Sequence, residues 1–428
     1  MRIKSVWQQA FGVTRGVIEG IDFDDTAGVV VIAVRPVARE TSRCGRCGRR
    51  SPGYDQGTGR RRWRAMDLGT TPVFLEADAP RVACPVHGPT VARVPWARHH
   101  AGHTRAFDDY TAWLAVHLSK SAVVALARVS WRTVGRIVAR VGADIDGRVD
   151  RLAGLRRIGI DEISYKRRHH YLTVVVDHDT GHLVWAAAGR DDATVHRFFD
   201  ELGPARTAQL THITADMALW IARVVTDRAP HAVRVADPFH ILAWASDALD
   251  MERRRAWNEA NGRRRPRARG AGYERAVGPA RSLKRARYAL WKKPEDLTDH
   301  QRDQLAWIKK TDNRLWRAYR LKEDLRAVFQ LKGAAGRHAL DDWIQWARRS
   351  RLPAFVDLQR RLVKHRAAID AALDSGLSNA LAESTNTKIR LLTRVAFGFH
   401  SPEPLIALAL LALSGHTPNL PGRKPPTH

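Results

Sequence analysis

Sulfur is scarce in this chain, with three cysteines and four methionines in 428 residues. So small and odd a cysteine count excludes the disulfide framework that staples small secreted domains. Long apolar runs are also missing. The longest candidate, Pro404 to Leu413, falls well short of the roughly 18–20 residues that cross a bilayer. The start of the chain, Met1-Arg2-Ile3-Lys4-Ser5 followed by Trp7-Gln8-Gln9, lacks the apolar segment and small-residue cleavage site of a secretory signal. Acidic residues are few as well: 44 stand against 72 Lys+Arg, giving a formal charge of +28 and a pI near 11. Such an excess needs solvent or an anionic partner, and nucleic acid is the default one. A cytoplasmic, nucleoid-associated protein with no membrane partner is expected.

All three cysteines enter one pattern. Cys44-Gly45-Arg46-Cys47 is a C-x2-C knuckle, and Cys84-Pro85-Val86-His87 supplies a C-x2-H knuckle further on. Together they make a complete Cys3His tetrahedral set for a structural Zn2+, with no position left for water. Between the knuckles, Gly59 to Arg64 and Val73 to Ala77 read as strands of a small ribbon. Helical spacing begins near Phe107, and two short helices follow, Ser121 to Arg128 and Trp131 to Arg140, with Ser130 a natural N-cap between them. This break has the form of a helix-turn-helix. The second helix of that motif presents its first turns to base edges, which assigns Arg132, Thr133 and Arg136 to DNA.

From Arg156 onward the pattern changes to strands. Ile158–Ile163, His170–Asp177 and Gly181–Ala188 form a meander, followed by helix 193–202, strand 211–215, helix 218–229 and strand 232–236. The β-β-β-α-β-α-β order predicts an α/β RNase H-like sheet. An acid amid apolar neighbours in a strand is costly unless a cation or hydrogen bonds compensate it, and Asp161 is such an acid. Asp216 ends the fourth strand. Far downstream Glu383 stands in Leu381-Ala382-Glu383-Ser384-Thr385-Asn386-Thr387-Lys388-Ile389-Arg390. Three carboxylates are what two Mg2+ (or Mn2+) ions of a phosphoryl-transfer site require. Asp237, in Ala236-Asp237-Pro238-Phe239-His240, competes with Asp216, because it too ends a strand.

The strings GIDEISYKRRHHYLTVVVDHDTGHLVW, ITADM, ADPFHI and LAESTNTKIRLLTRVAFGF, in this order, resemble the transposases of the bacterial ISL-three insertion-sequence family. The cysteine segment, with VPWARHH after it, is similar to that family's zinc-binding domain. The likeness runs from about residue 40 to 415. It implies a DDE-type enzyme that cuts and transfers DNA at element ends, with a catalytic and Mg2+-binding triad on Asp161, Asp216 and Glu383. One departure is Ala382 where the family often has glycine, together with Ser384-Thr385-Asn386 where a second asparagine often comes sooner. Asn386 still lies about one helical turn beyond the acid. Asp237, His240 and Asn386 are assigned supporting roles at the edge of the site.

The expected organisation is a zinc ribbon over 1–100, a helix-turn-helix domain over 101–150, and the first part of the RNase H-like core over 151–240. An all-α insertion over 241–375, a returning helical part over 376–414 and a disordered tail over 415–428 complete it. The insertion puts 167 positions between Asp216 and Glu383. Its tryptophans, Trp244, Trp257, Trp291, Trp307, Trp316, Trp343 and Trp346, read mostly as packing. Arg263, Arg264 and Arg265 in a basic loop, and Lys388 and Arg390 beside the glutamate, are expected on the phosphate backbone. Double-stranded DNA, element ends and target alike, is the expected partner, held by a homodimer. Two other functions use the same parts: a DNA-binding regulator descended from an inactive transposase, and an RNase H-like structure-selective nuclease.

Overall fold

The fold is described from a computed structural model covering residues 7–9, 11–167, 169–216, 218–262 and 281–423. Arg263, Arg264 and Arg265 lie outside the described residues. The chain divides into two units, Met1–Asp150 with Leu391–His428, and Arg151–Arg390.

The first unit opens with a segment for which the sequence reading had no element. β1 (Gly16–Asp24) and β2 (Val29–Pro36) form an antiparallel pair, while β4 (Arg60–Arg64) and β5 (Val73–Asp78) form another. Parallel pairing of β2 with β5 joins them into a four-stranded sheet of order β1-β2-β5-β4. The two strands expected between the knuckles therefore exist and pair, but in this sheet rather than in the one that carries the knuckles. Their alternating Trp63, Val73, Leu75 and Ala77 need a partner face, and Ile18, Ile32, Val34 and Trp96 provide it. The knuckles adjoin a separate three-stranded sheet of β3 (Gly53–Asp55), β6 (Arg81–Cys84) and β7 (Gly88–Val91).

Three helices follow: α1 (Arg105–His117), α2 (Lys120–Ala127) and α3 (Trp131–Asp146). Each begins at a hydroxyl cap, from Thr104, Ser119 and Ser130 respectively, which accepts a backbone N–H otherwise left without a partner. The turn between α2 and α3 puts Arg128 in the left-handed region at φ 52°. Buried Asp108 on α1 ties α3 down through both carboxylate oxygens, which accept from Arg140 Nε at 2.9 Å and Nη2 at 2.8 Å. The apolar helix Pro402–Leu413 packs on α1 and α3, where Leu408 and Leu411 join Val134, Ile137 and Val141 in one core.

Two expectations are corrected here. The stretch 376–414 does not belong wholly with the second unit, because the chain from Leu391 on clusters with the first unit. Periodicity marks an apolar helix but does not say which apolar surface receives it. Residues 415–423 are not a disordered tail: Thr417 Oγ1 donates to Leu411 O at 3.0 Å, and Asn419, Leu420 and Pro421 line a cleft with Phe11 and Trp96.

In the second unit β8 (Arg157–Lys166), β9 (His170–Asp177) and β10 (Leu183–Ala188) form the expected antiparallel meander. The strands β11 (His212–Ala215) and β12 (Val233–Ala236) add in parallel beyond β8, giving the order β10-β9-β8-β11-β12. α4 (Asp192–Leu202) and α5 (Leu219–Arg228) lie between these strands in sequence, and their Phe198, Phe199, Ile221 and Val224 cover Ile158, Ile160 and Ile213. After β12 the chain becomes helical. α6 (Pro238–Gly262) is followed by α7 (Arg287–Trp291), α8 (Asp299–Thr311), α9 (Asn313–Val328), α10 (Gly333–Arg349), α11 (Pro353–Lys364) and α12 (Arg366–Ser375). Most of the tryptophans do pack. Trp343 is buried, with Nε1 donating to Leu321 O at 2.8 Å, and Trp244, Trp257, Trp307, Trp316 and Trp346 lie against the same core. Trp291 is the exception, exposed at 39%. α13 (Ala380–Val395) carries Glu383 near its start, and α14 is the Pro402–Leu413 helix of the first unit.

Candidate functional site: an acidic cluster at one level of three parallel strands

Strand register assembles the acids. Ile160 pairs with Ala215, and Ala215 pairs with Ala236, in two parallel ladders. The next residue in each case is an aspartate: Asp161 lies midway along β8, while Asp216 and Asp237 directly follow β11 and β12, so the three stand at one level across neighbouring strands. Strands in a sheet lie about 4.8 Å apart, which makes Asp216 the neighbour of Asp161 and puts Asp237 one strand further away. Glu383 comes to the same place on α13: a carboxylate oxygen of Glu383, one of Asp237 and a ring nitrogen of His240 lie within 4.8 Å of one another.

The two competing aspartates differ in what already holds them. Asp237 is 1% exposed and both its oxygens are engaged. His240 Nδ1 lies 2.9 Å from Oδ2, while the N–H groups of Phe239 and Asn379 donate to Oδ1 at 3.3 and 3.4 Å. Asp216 is more open, with 28% of its side chain exposed, and its Oδ1 lies 3.4 Å from His240 Nε2. His240 thus stands between the two acids. Its hydrogen bond to Asp237, assisted by the charges of Asp216, Asp237 and Asp161, raises its pKa to about 9.

The remaining acids carry the signature of crowded negative charge. Burial raises Asp161 to about 6, and the charges of Glu383 and Asp216 add to it. Burial and the charge of Asp237 raise Glu383. Glu162, the next residue on β8, is pushed up to about 7 by burial, although Arg190 Nε lies 3.5 Å from its Oε2. Carboxylates that resist ionisation because they face one another are the donor set that a hard divalent cation relieves. Asp161, Asp216, Asp237 and Glu383 all offer carboxylate oxygens of the kind such ions take, and those of Asp237 and Glu383 lie with a ring nitrogen of His240 within 4.8 Å of one another.

Two asparagines fasten α13 to the strands. Asn386 Nδ2 donates to Asp161 Oδ2 at 2.8 Å and to Glu162 O at 3.3 Å. Asn379 was missed in the sequence. Fully buried before the helix, it donates through Nδ2 to Ile160 O at 3.4 Å and accepts from Thr214 Oγ1 at 3.1 Å. Glu383 N in turn donates to Asn379 O at 3.0 Å. A buried polar group must be satisfied, so Asn379 fixes the first turn of α13 against β8, β11 and Asp237 together. Its only sequence signal is its place, before a helix that carries an acid. Lys388 and Arg390 are exposed on α13.

The second cluster is that of the knuckles. Cys44 Sγ and Cys84 Sγ each lie 3.6 Å from His87 Nδ1, and Cys47 Sγ lies 3.8 Å from Cys84 Sγ. Bonds of about 2.3 Å to sulfur and 2.0 Å to nitrogen at tetrahedral angles require ligand separations of about this size, so the four atoms fit zinc. Burial pushes the Cys84 thiol up, yet hydrogen bonds from the Val86 and His87 backbone and from the His87 ring outweigh it and bring it to about 6. Gly45 allows the close turn: a Cβ there would sit 2.5 Å from both Val91 O and His99 Nδ1. On α3, Arg132 and Arg136 are exposed, whereas the Thr133 hydroxyl is held by Ser130 Oγ at 2.8 Å, so Thr133 completes the helix cap.

Comparison with known proteins gives one consistent result. Residues 158–409 match a family described as "Transposase", residues 92–142 match "Helix-turn-helix domain of transposase family ISL3", and residues 40–87 match "zinc-finger of transposase IS204/IS1001/IS1096/IS1165". The chain is 62% identical to the transposase for insertion sequence element IS1557 of Mycobacterium tuberculosis, over 99% of this chain and 98% of the other. It is 25% identical to the transposase for insertion sequence element IS1001 of Bordetella parapertussis, over 92% and 93% of the two chains.

Proposed function

The chain belongs to the ISL3 family of insertion-sequence transposases, and from that membership we propose that it binds the terminal inverted repeats of its element and cleaves and joins DNA there by a two-metal DDE mechanism on an RNase H-like sheet. The observation that supports this reading is the shared level of Asp161 and Asp216 on adjacent parallel strands, with the charges of Glu383 and Asp216 both acting on Asp161; Glu383 also lies close to Asp237 and His240. The sheet order β10-β9-β8-β11-β12 supports the fold assignment, being an antiparallel meander continued by two parallel strands.

Asp161, Asp216 and Glu383 would hold the Mg2+ ions. When bound, such ions lower the pKa of an attacking water or DNA 3′-hydroxyl and stabilise the leaving oxygen. The protein's own part is to hold geometry. Asn386 orients the Asp161 carboxylate, and Asn379 fixes the helix that carries Glu383. Asp237 holds His240, whose cationic ring faces Asp216 and offers a charge to a nearby phosphate oxygen. Cys44, Cys47, Cys84 and His87 would hold a structural zinc. Arg132 and Arg136 would read base edges, while Lys388, Arg390 and the arginines 263–265 would add affinity that falls with salt. Two ends must meet, so two copies act together on DNA.

The test is Mg2+-dependent nicking of a duplex bearing the inverted repeats that border the gene. Nicking at the repeat boundary is expected. Cleavage of branched DNA without regard to the repeats would favour the nuclease reading, and repeat binding without nicking would favour the regulator.

A further inference from the structure

Beside the acids, and wholly within the second unit, lies a groove of 470 Å3 whose lining includes Phe239, Leu242, Ser246, Asp247, Trp291 and Lys293. Such a volume lies in the range of roughly 300–1,000 Å3 that holds small organic ligands. Its wall starts at the site itself. Phe239 sits between Asp237 and His240 in the first turn of α6, and while those two neighbours face the acids, its ring is 63% exposed. A large aromatic side chain left to solvent beside partly buried neighbours is costly unless something covers it.

Trp291, the tryptophan that does not pack, is another part of this lining. It ends the short helix α7, where Arg287 lies 4.0 Å from its ring centroid and Tyr288, itself 63% exposed, stands at 6.4 Å. The charged residues of the lining are Lys293, Lys322 and Arg326 against Asp247 and Glu323, a small cationic excess. Exposed aromatic faces with arginine and lysine at hand suit a flat, polar-edged group that arrives with phosphate, and that combination is a nucleotide base. A base inside a duplex is stacked on both sides and cannot reach such a surface.

We infer that the groove between Phe239 and Trp291 receives an unpaired nucleobase of the DNA strand held at the acidic cluster, stacking on the aromatic rings as the base leaves the duplex. This inference rests on the transposase reading given above. Unstacking costs a few kcal/mol in paired DNA and least where the base is already unpaired, so a pre-opened strand is the sensitive probe.

The experiment compares two duplexes of the bordering inverted repeat, one fully paired through the cleavage position and one with a single unpaired nucleotide beside it. Binding of the full chain is measured without divalent ion. Wild type is expected to favour the second duplex by about five- to a hundredfold, the range that base–aromatic stacking supplies. Trp291→Ala should remove most of that preference and leave binding of the paired duplex unchanged. Trp291→Phe should restore it, and an unaltered melting temperature of both variants shows that they fold. Equal affinity of wild type for the two duplexes, or a preference that survives in Trp291→Ala, overturns the groove assignment. An equal loss on both duplexes also overturns it, since that marks a contact to the phosphate backbone. Failure of wild type to distinguish the repeat from random duplex overturns the end-binding reading and this inference with it.

Discussion

Asn386 donates to the carboxylate of Asp161 at 2.8 Å across 225 positions of sequence, and this bond joins the helix of the third acid to the strand of the first. A carboxylate that binds a metal is as useful as its orientation. Replacing Asn386 by alanine is expected to lower nicking by roughly 10–100-fold, the effect typical of groups that orient a ligand, while repeat binding stays within twofold of wild type. Titrating Mg2+ in the nicking assay checks it: a weaker metal requirement in the variant would contradict the assignment.

Asp216 follows the strand next to that of Asp161, and Asp237 follows one strand further out. Asp161→Asn, Asp216→Asn and Glu383→Gln should each lose more activity than the roughly 10–100-fold expected of an orienting residue, and Asp237→Asn should stay within that range. Near-normal cleavage by Asp216→Asn, with Asp237→Asn inactive, would move the second metal ligand one strand outward.

Stability of the metal-free protein should fall as pH rises. Asp161 titrates at about 6 and Glu162 at about 7 in the folded chain, above their ordinary values of 3.8 and 4.5. The native state therefore binds these protons more tightly than the unfolded chain. Their contribution is fully present below pH 4 and is lost as pH rises through 6 to 7, by roughly 3 kcal/mol for Asp161 alone. Melting temperatures in EDTA across this window, with Asp161→Asn as control, measure it. Added Mg2+ should raise the melting temperature at pH 7.5 and have little effect at pH 4.5, and equal effects at both would count against a carboxylate site.

One zinc per chain is expected by metal analysis, lost in Cys84→Ala and in His87→Ala. Because a Cys3His site contributes directly to folding, these variants should lose the ordered knuckle sheet and repeat-specific binding together. Retention of zinc by Cys84→Ala would sink the ligand set.

Arg132→Ala and Arg136→Ala should each cost about 1–3 kcal/mol on the repeat and relax its sequence preference, as loss of a base contact does. Lys388→Ala should instead weaken repeat and random duplex alike and lower the salt dependence. Competition binding at two salt concentrations distinguishes the patterns.

Much of the site could be read along the chain because its parts are local. The Cys3His set is a matter of spacing, the Ser130 cap and the helices around it follow from hydroxyl placement and period, and Asp161 stands out as an acid in an apolar strand. The N-terminal pair β1 and β2 was missed, since its apolar residues are broken by Asp22, Asp24 and Asp25 and only pairing of β2 with β5 gives them a sheet to join. Asn379 was missed because nothing in its neighbourhood marks a residue that bonds to two distant strands and to Asp237. Trp291 looked like its fellow tryptophans, since exposure is not visible in helical spacing.

What the sequence by itself determined is the inventory: a zinc set, a helix-turn-helix, a meander with two following αβ units, and the acids within or just after their strands. These rest on interactions between residues close in sequence, where spacing dictates geometry. Tertiary structure alone decided which acids stand together and what each still has to offer. Parallel register aligned Asp161, Asp216 and Asp237, while packing buried Asp237 against His240 and left 28% of the Asp216 side chain exposed. Those distinctions arise from long-range packing and desolvation, which depend on neighbours that the linear order does not reveal.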